Sequence, residues 1–460
     1  VVMLAPVPVA FALSEADLIP SFAIPAAVAL FIGVILWRKF ERTDLTLGKA
    51  MVLVTLAWIL MSLFGSMPYI FGHDMGFLDA YFESMSGFTT TGLTVIQGPA
   101  GELLPVPQTI LFWRSLTQWV GGLGVIVLFL AALLGAGKAA RKLYVAEARA
   151  ERIEPSIRET ARSLWKIYVL FTLAGIIGLF LAGMELFPAI NHSMVALATG
   201  GFTVTGDSFA GYGPQILMIA LIIMMAGATS FAIHRKVVGG DWRVLFKSVE
   251  VRLMIILIII GTFVLAWSVG LKDALFHSVS AQTTVGFSTA SGGVISGPEW
   301  GPFQKGVLST MMVVGGGFGS TASAIKLIRT IVIIGAVYWV IKRSFLPERA
   351  VVPIKIGGRI YSEREVMETA IYAFIYILVL GCGALIVMMA MPGESGMDCL
   401  FESASAQGNV GLSVGITAVA VPVVKVVFII QMLVGRLEIL PVIAFLSYIV
   451  GRVPRRHRVV

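Results

Sequence analysis

Apolar residues run along this chain in stretches such as Ile255 to Val269, Ile371 to Met391 and Val423 to Val450. About 20 such residues are what a helix needs to cross roughly 30 Å of hydrocarbon. The pattern predicts about ten to twelve membrane-entering helices. Between the long runs lie four shorter segments that align with one another without a gap. They are Phe82-Glu-Ser-Met-Ser-Gly-Phe-Thr-Thr-Thr-Gly92-Leu-Thr-Val, Asn191-His-Ser-Met-Val-Ala-Leu-Ala-Thr-Gly-Gly201-Phe-Thr-Val, Phe276-His-Ser-Val-Ser-Ala-Gln-Thr-Thr-Val-Gly286-Phe-Ser-Thr and Phe401-Glu-Ser-Ala-Ser-Ala-Gln-Gly-Asn-Val-Gly411-Leu-Ser-Val. A serine (Ser84, Ser193, Ser278, Ser403) and, eight residues on, a glycine (Gly92, Gly201, Gly286, Gly411) are identical in all four.

Five residues before each serine stands Asp79, Pro188, Asp273 or Asp398, residue types that suit a helix start. Each copy therefore predicts a short helix of about ten residues, a glycine turn and an extended hydroxyl-bearing segment. Such a helix is too short to span and must enter the membrane and stop. Non-helical backbone survives at membrane depth where protein buries it or water lines it, so four such loops imply a shared aqueous cavity. The expected fold is an all-α membrane protein: four pseudo-symmetric repeats of helix, pore helix, filter loop and helix around one central pore, preceded by an N-terminal helix pair. The boundaries follow as 1–37 for that pair, then 38–137, 138–239, 240–346 and 347–460 for the repeats.

Composition agrees, since 57% hydrophobic and 13% charged residues exclude a soluble globular chain of 460 residues. The net charge of +8 does not point to nucleic acid, because the cations follow the membrane topology. Of 34 Lys and Arg, 27 fall in Arg38 to Lys49, Lys138 to Lys166, Arg235 to Arg252, Lys342 to Arg364 and Arg452 to Arg458. The positive-inside rule makes these segments, and with them the C-terminus, cytoplasmic. Ser14 to Pro20, Phe71 to Ala80 and Met391 to Asp398 carry acids and face outward. Cys382 and Cys399 lie in apolar surroundings and read as unpaired buried thiols. The chain begins at Val1, which fits a shortened first helix, with a signal peptide as the alternative.

The chemistry implied is that of a monovalent cation. A half-helix whose C-terminal end points into the membrane aims partial negative charge at the cavity, and loop carbonyls replace an ion's hydration shell. Glycine supplies the unusual backbone angles. No His-Glu-x-x-His, Gly-x-Ser-x-Gly or pair of membrane aspartates occurs, so no enzyme and no cofactor is expected.

The loops Thr89-Thr-Thr-Gly-Leu-Thr, Thr199-Gly-Gly-Phe-Thr, Thr283-Thr-Val-Gly-Phe-Ser and Gly408-Asn-Val-Gly-Leu-Ser resemble the four filter segments of the Trk/Ktr/HKT superfamily of potassium transporters. Gly315-Gly-Gly-Phe-Gly-Ser-Thr and Gly435-Arg-Leu-Glu-Ile extend the likeness, and the helices ahead of the first repeat resemble the TrkH branch. The resemblance implies potassium as the transported ion, bound by backbone carbonyls among Thr90, Thr91, Gly92, Thr199, Gly200, Gly201, Thr284, Val285, Gly286, Asn409, Val410 and Gly411. By the resemblance, glycine in all four loops is the potassium-selective state, and serine in the first goes with sodium permeation in plant relatives. The resemblance also implies a homodimer in the cell inner membrane, in contact with lipid, gated by cytosolic nucleotide-binding subunits of the TrkA type.

Two features inside the membrane follow. Arg436 interrupts an apolar helix, where an ionisable residue is costly. The family's matching arginine lies below the filter and limits cation flow; the alternative is a structural ion pair with a carboxylate of another helix. Glu438, two residues on, cannot share its face. The stretch containing Gly315, Gly316, Gly317, Gly319, Ser320 and Thr321 breaks the third long helix, and by the resemblance forms a gating loop. It departs from the family pattern at Ala322-Ser323-Ala324, where further glycines usually stand. Lys326 and Arg329 either snorkel to the cytoplasm or take part in gating. Arg114, near the outer end of a helix, reads as an interface anchor. Lys138 to Lys166 and Lys342 to Arg364 are either docking surfaces or ordinary positive-inside charge. A coupled secondary transporter of potassium or sodium with protons or another ion remains the alternative to a channel.

Overall fold

The computed structural model describes residues 2–40, 46–96, 105–124, 157–347, 352–356 and 358–451. Most of Lys138 to Lys166 and all of Arg452 to Arg458 lie outside the described residues.

Helices α1 (Pro6–Ala12) and α2 (Ile19–Lys39) lead into α3 (Leu47–Gly65), α4 (Met67–His73), α5 (Phe77–Phe88) and α6 (Gln108–Leu123). Next come α7 (Ile157–Leu181), α8 (Leu186–Ala198), α9 (Pro214–Gly227), α10 (Phe231–Val238) and α11 (Val244–Lys247). They are followed by α12 (Val249–Val269), α13 (Leu271–Gln282), α14 (Pro302–Val314) and α15 (Leu327–Ser344). After a hairpin come α16 (Glu363–Ala390), α17 (Gly396–Gly408), α18 (Pro422–Leu437) and α19 (Ile439–Ile449). Among the described residues five helices are long and apolar enough to cross a membrane, or up to seven if two bent pairs each count as one span.

Local sequence explains many boundaries. The side chains of Thr46, Ser248, Ser362 and Ser395 accept backbone N–H groups at the starts of α3, α12, α16 and α17. Proline opens α9, α14 and α18, where its missing N–H costs nothing. The short helices α5, α8, α13 and α17 begin about a turn ahead of the expected sites, so Asp79, Asp273 and Asp398 fall inside their first turns and not at the caps. They are 12 or 13 residues long, a little beyond the expected length.

Polarity is reversed relative to a soluble protein. Phe263 and Trp267 on α12 are 83% and 97% exposed, while Glu83, Arg114, His192, His277 and Glu402 are buried. The second long helix of each repeat packs on the short helix of the next: α6 on α8, α9 on α13, α14 on α17 and α18 back on α5. That sequence of contacts closes on itself. Small side chains let the layers approach. A methyl group at Gly65 would lie 2.7 Å from Ser84 Oγ, and one at Gly261 3.1 Å from Ser278 Oγ. A methyl group at Gly175 would likewise meet Ser193 Oγ, so the serine shared by all four segments is a small residue facing a glycine of the preceding long helix in three of the repeats.

The fold is helical, as expected, with one short hairpin besides, in which β1 (Ile354–Ile356) and β2 (Arg359–Tyr361) pair antiparallel, with Ile354 opposite Tyr361. The apolar run from Val423 to Val450 is not one span, because α18 and α19 are bent by 117° at Glu438, whose φ is 62°. A further break, of 109°, separates α9 from α10. Cys382 and Cys399 are unpaired as expected, but Cys382 is exposed.

Candidate functional site

The four loops that follow α5, α8, α13 and α17 share one backbone conformation. Two residues ahead of each glycine, Thr90, Thr199, Thr284 and Asn409 have φ of 56°, 55°, 57° and 53°. Gly92, Gly201, Gly286 and Gly411 follow at 90°, 86°, 88° and 101°. Left-handed threonine and asparagine cost of order 1–3 kcal/mol each, so four of them in register mark a conformation held by its surroundings.

The loops meet. A Cβ at Gly201 would lie 2.5 Å from Val285 O and 3.0 Å from Val410 O, and one at Gly411 would lie 2.5 Å from Thr91 O. A Cβ at Gly286 would meet Val410 O, and one at Gly92 would meet Gly200 O. The carbonyls of Thr91, Gly200, Val285 and Val410 therefore alternate with the four glycines around a common centre. All four glycines also line one outer cavity, together with Arg114. Uncharged oxygens in a ring are suited to alkali cations and not to transition metals. No His, Cys, Asp and Glu cluster able to hold a metal occurs among the described residues.

A second set of residues supports the loops, and nothing in the sequence alone had singled it out. Immediately before each shared serine stand Glu83, His192, His277 and Glu402, all fully buried. Glu83 accepts from Thr94 Oγ1 (2.9 Å) and the Val95 N–H (3.1 Å). Glu402 accepts from Ser413 Oγ (2.7 Å) and the Val414 N–H (2.9 Å). His192 Nε2 accepts from the Val204 N–H (3.5 Å), and His277 Nε2 lies 3.1 Å from Ser288 Oγ. Each side chain thus ties down the segment just beyond its glycine. The Glu, His, His, Glu column was visible in the alignment as a polar position on an apolar helix.

Arg114 belongs to this layer and is no interface anchor. It is 2% exposed, pairs with Glu83 at 2.8 Å, donates to Thr203 O at 3.0 Å and lies 4.1 Å from the Phe202 ring centroid.

Beneath the loops the third repeat breaks as expected, between α14 and α15. Gly315 and Gly319 have φ of 69° and 72°, but Ala324 and Lys326 also take positive values of 69° and 75°. The broken segment is well tied. Gly317 N–H donates to Ala228 O (2.9 Å), Thr321 Oγ1 to Leu197 O (2.9 Å) and Gly227 O (2.8 Å), and Ser323 N–H to Thr284 Oγ1 (3.3 Å). Gln282 Nε2 donates to Gly315 O (2.5 Å), Ser320 Oγ to Gly317 O (2.6 Å), and Gly316 O accepts from Leu327 N–H (2.9 Å).

Arg436 reaches this segment from the end of α18. Its guanidinium donates to Thr321 O (2.8 Å), Thr90 Oγ1 (3.1 Å), Ser323 Oγ (3.2 Å), Gly121 O (2.5 Å) and Gly122 O (2.9 Å). Glu438, two residues on, binds Lys326 at 3.2 Å and Arg329 at 2.5 Å. In the basic segment from Lys342 to Arg364, three of the described cations, Arg343, Arg359 and Arg364, pair with Glu363, Glu365 and Glu368.

In a multi-pass helical membrane protein, loop carbonyls that converge in this way have a geometry suited to a cation. The chain belongs to the TrkH cation transport protein family, whose model matches residues 19–269 and 244–450. An uncharacterized cation transporter of Methanocaldococcus jannaschii is 34% identical over 93% of this chain and 88% of its own length. The Trk system potassium uptake protein TrkH of Escherichia coli K12 is 35% identical over 90% of this chain and 88% of its own. The crystal structure of the potassium transporter TrkH from Vibrio parahaemolyticus superposes with a TM-score of 0.81 at 29% identity, covering 98% of this chain and 95% of that one. These relatives are transport proteins and not enzymes.

Proposed function

We propose that this chain takes up potassium across the cell membrane, in a channel-like manner, through the ring formed by Thr91, Gly200, Val285 and Val410. One observation carries the reading: four loops with the same pair of positive φ values close into a ring in which each glycine abuts a neighbouring carbonyl. Flanking carbonyls of Thr90, Thr199, Thr284, Asn409 and the four glycines extend the ligand set to the residues expected from the sequence. Each of the repeats 38–137, 138–239, 240–346 and 347–460 contributes one loop.

Arg436 and the segment from Gly315 to Thr321 form the barrier below the ring in this reading, since the guanidinium bridges that segment to Thr90 of the first loop. The name of one relative, a Trk system potassium uptake protein, supports this reading. A homodimer and TrkA-type cytosolic subunits complete the proposal, with the positive segments and the C-terminus on the cytoplasmic side.

Replacing Gly92 with serine tests the ring. In bilayers with potassium on one side and sodium on the other, Gly92→Ser is expected to move the reversal potential toward that of a pore admitting both ions. An unchanged reversal potential would take Gly92 off the path.

Coupled transport keeps one observation in its favour. Glu83 and Glu402 are buried carboxylates, so acids inside the protein are not confined to Glu438. Purified protein in liposomes under opposed potassium and proton gradients separates the two readings, because uphill potassium movement driven by protons would sink the channel.

A further inference from the structure

Three of the four loops are clamped by a serine of their own short helix, six residues ahead of the glycine. Ser86 Oγ accepts from the Gly92 N–H (3.1 Å) and donates to Leu93 O (2.6 Å). Ser280 Oγ donates to Phe287 O (2.7 Å), and Ser405 Oγ accepts from the Gly411 N–H (2.9 Å). The second repeat has Val195 at this position, which can do neither.

Its loop is held from outside the repeat. Gln118, fully buried on α6 of the first repeat, accepts the Phe202 N–H at 3.1 Å through Oε1 and donates through Nε2 to Gly200 O. The amide orientation is fixed by its partners, since an N–H must meet Oε1 and a carbonyl must meet Nε2. Gly200 O is one of the four ring oxygens. A carbonyl has two lone pairs, so one is engaged by Gln118 and the other is left for the centre of the ring. One turn earlier on α6, Arg114 holds Thr203 O of the same loop.

We propose that Gln118 is a positioning residue for ion selectivity, standing in for the serine clamp of the other repeats but through different groups: it holds the Gly200 carbonyl and the Phe202 N–H, where Ser86, Ser280 and Ser405 hold the glycine N–H or the carbonyl after it. It fixes the direction of the Gly200 carbonyl from the neighbouring repeat, and so makes that ligand's geometry depend on α6. The inference rests on the reading of the ring as the ion path.

The test is the potassium-to-sodium permeability ratio of protein in bilayers, a readout that a purely structural role would leave in place for whatever fraction folds. Gln118→Ala is expected to lower the ratio about fivefold, the effect of one hydrogen bond on one of four ligands. Adding Val195→Ser, which by analogy would hold the Gly201 N–H or the Phe202 carbonyl of the same loop, is expected to restore part of it. If Gln118→Ala does not reach the membrane, Gln118→Met serves, since it keeps the bulk of the side chain and loses both the acceptor for the Phe202 N–H and the donor to Gly200 O. A wild-type ratio in the variant measured, with Gly92→Ser shifted in parallel, overturns the inference. A lowered ratio that Val195→Ser fails to raise in Gln118→Ala overturns the equivalence with the serines. No shift in Gly92→Ser either means that the ring itself is not the path.

Discussion

The loops and the helix ends beneath them obey different rules. At the ring, four unlike sequences settle into one conformation, and the left-handed residues agree in φ to within a few degrees, from 53° to 57°. One level below, the second long helices end in four ways. α6 stops at Gly124 with φ of 85°, α9 bends by 109°, α14 gives way to an irregular stretch through Lys326, and α18 turns by 117° at Glu438. A ring of ligands around one ion tolerates little departure from symmetry, whereas a barrier has only to be closed. On the proposed reading, symmetry is imposed by ligand geometry and relaxes where that constraint ends.

The largest effect is expected from breaking the symmetric level. Gly286→Ala places a Cβ on a backbone at φ of 88° and against Val410 O, which cannot withdraw without leaving the ring. Potassium flux into liposomes should be abolished with the protein still inserted; near-normal flux would show that the ring is not on the path. Removing the cation of the asymmetric level acts in the opposite direction. Arg436→Ala deletes both a positive charge and the ties to Thr321, Ser323 and Gly121, so potassium flux should rise severalfold, about what one to two hydrogen bonds hold closed. Flux unaltered at equal protein would assign Arg436 to architecture alone. Glu438→Gln comes next. It leaves Lys326 and Arg329 facing each other without their shared acid, a change that in buried pairs costs about 3–5 kcal/mol. A lower melting temperature in detergent with the potassium-to-sodium ratio intact is expected, because the ring lies on the other level.

This division also explains what the sequence made legible. The ring could be read because Ser84 and Gly92 recur at fixed spacing in all four copies, and because left-handed backbone needs glycine. The break near Gly315 was visible for the same reason. Nothing comparable announced the turn at Glu438, which is made by a glutamate in left-handed conformation. The supporting layer was half visible: Glu83 and Glu402 stood in the alignment, but their partners Val95 and Val414 are backbone groups that leave no mark in composition. Gln118 was hidden for a different reason, acting on a loop more than 80 residues away in another repeat. The hairpin from Ile354 to Tyr361 is too short to show a period.

Ala324 is where the smallest and most diagnostic effect is expected. It sits at φ of 69° in the broken stretch, where the family pattern favours glycine, and its Cβ lies against the site of Gly315, whose own added Cβ would be 2.6 Å away. Holding an alanine there costs roughly 1 kcal/mol that glycine would not. Part of that gain is returned, because glycine gives the unfolded chain more freedom. Two consequences then separate strain from mobility. If the strain is confined to the closed arrangement, Ala324→Gly stabilises it, lowering basal potassium flux by up to about fivefold and leaving selectivity unchanged. If glycine instead frees the segment to move, flux rises. A rise would tie the Ala322-Ser323-Ala324 departure to a stiffer barrier, and would overturn the expectation that its main effect is stored strain.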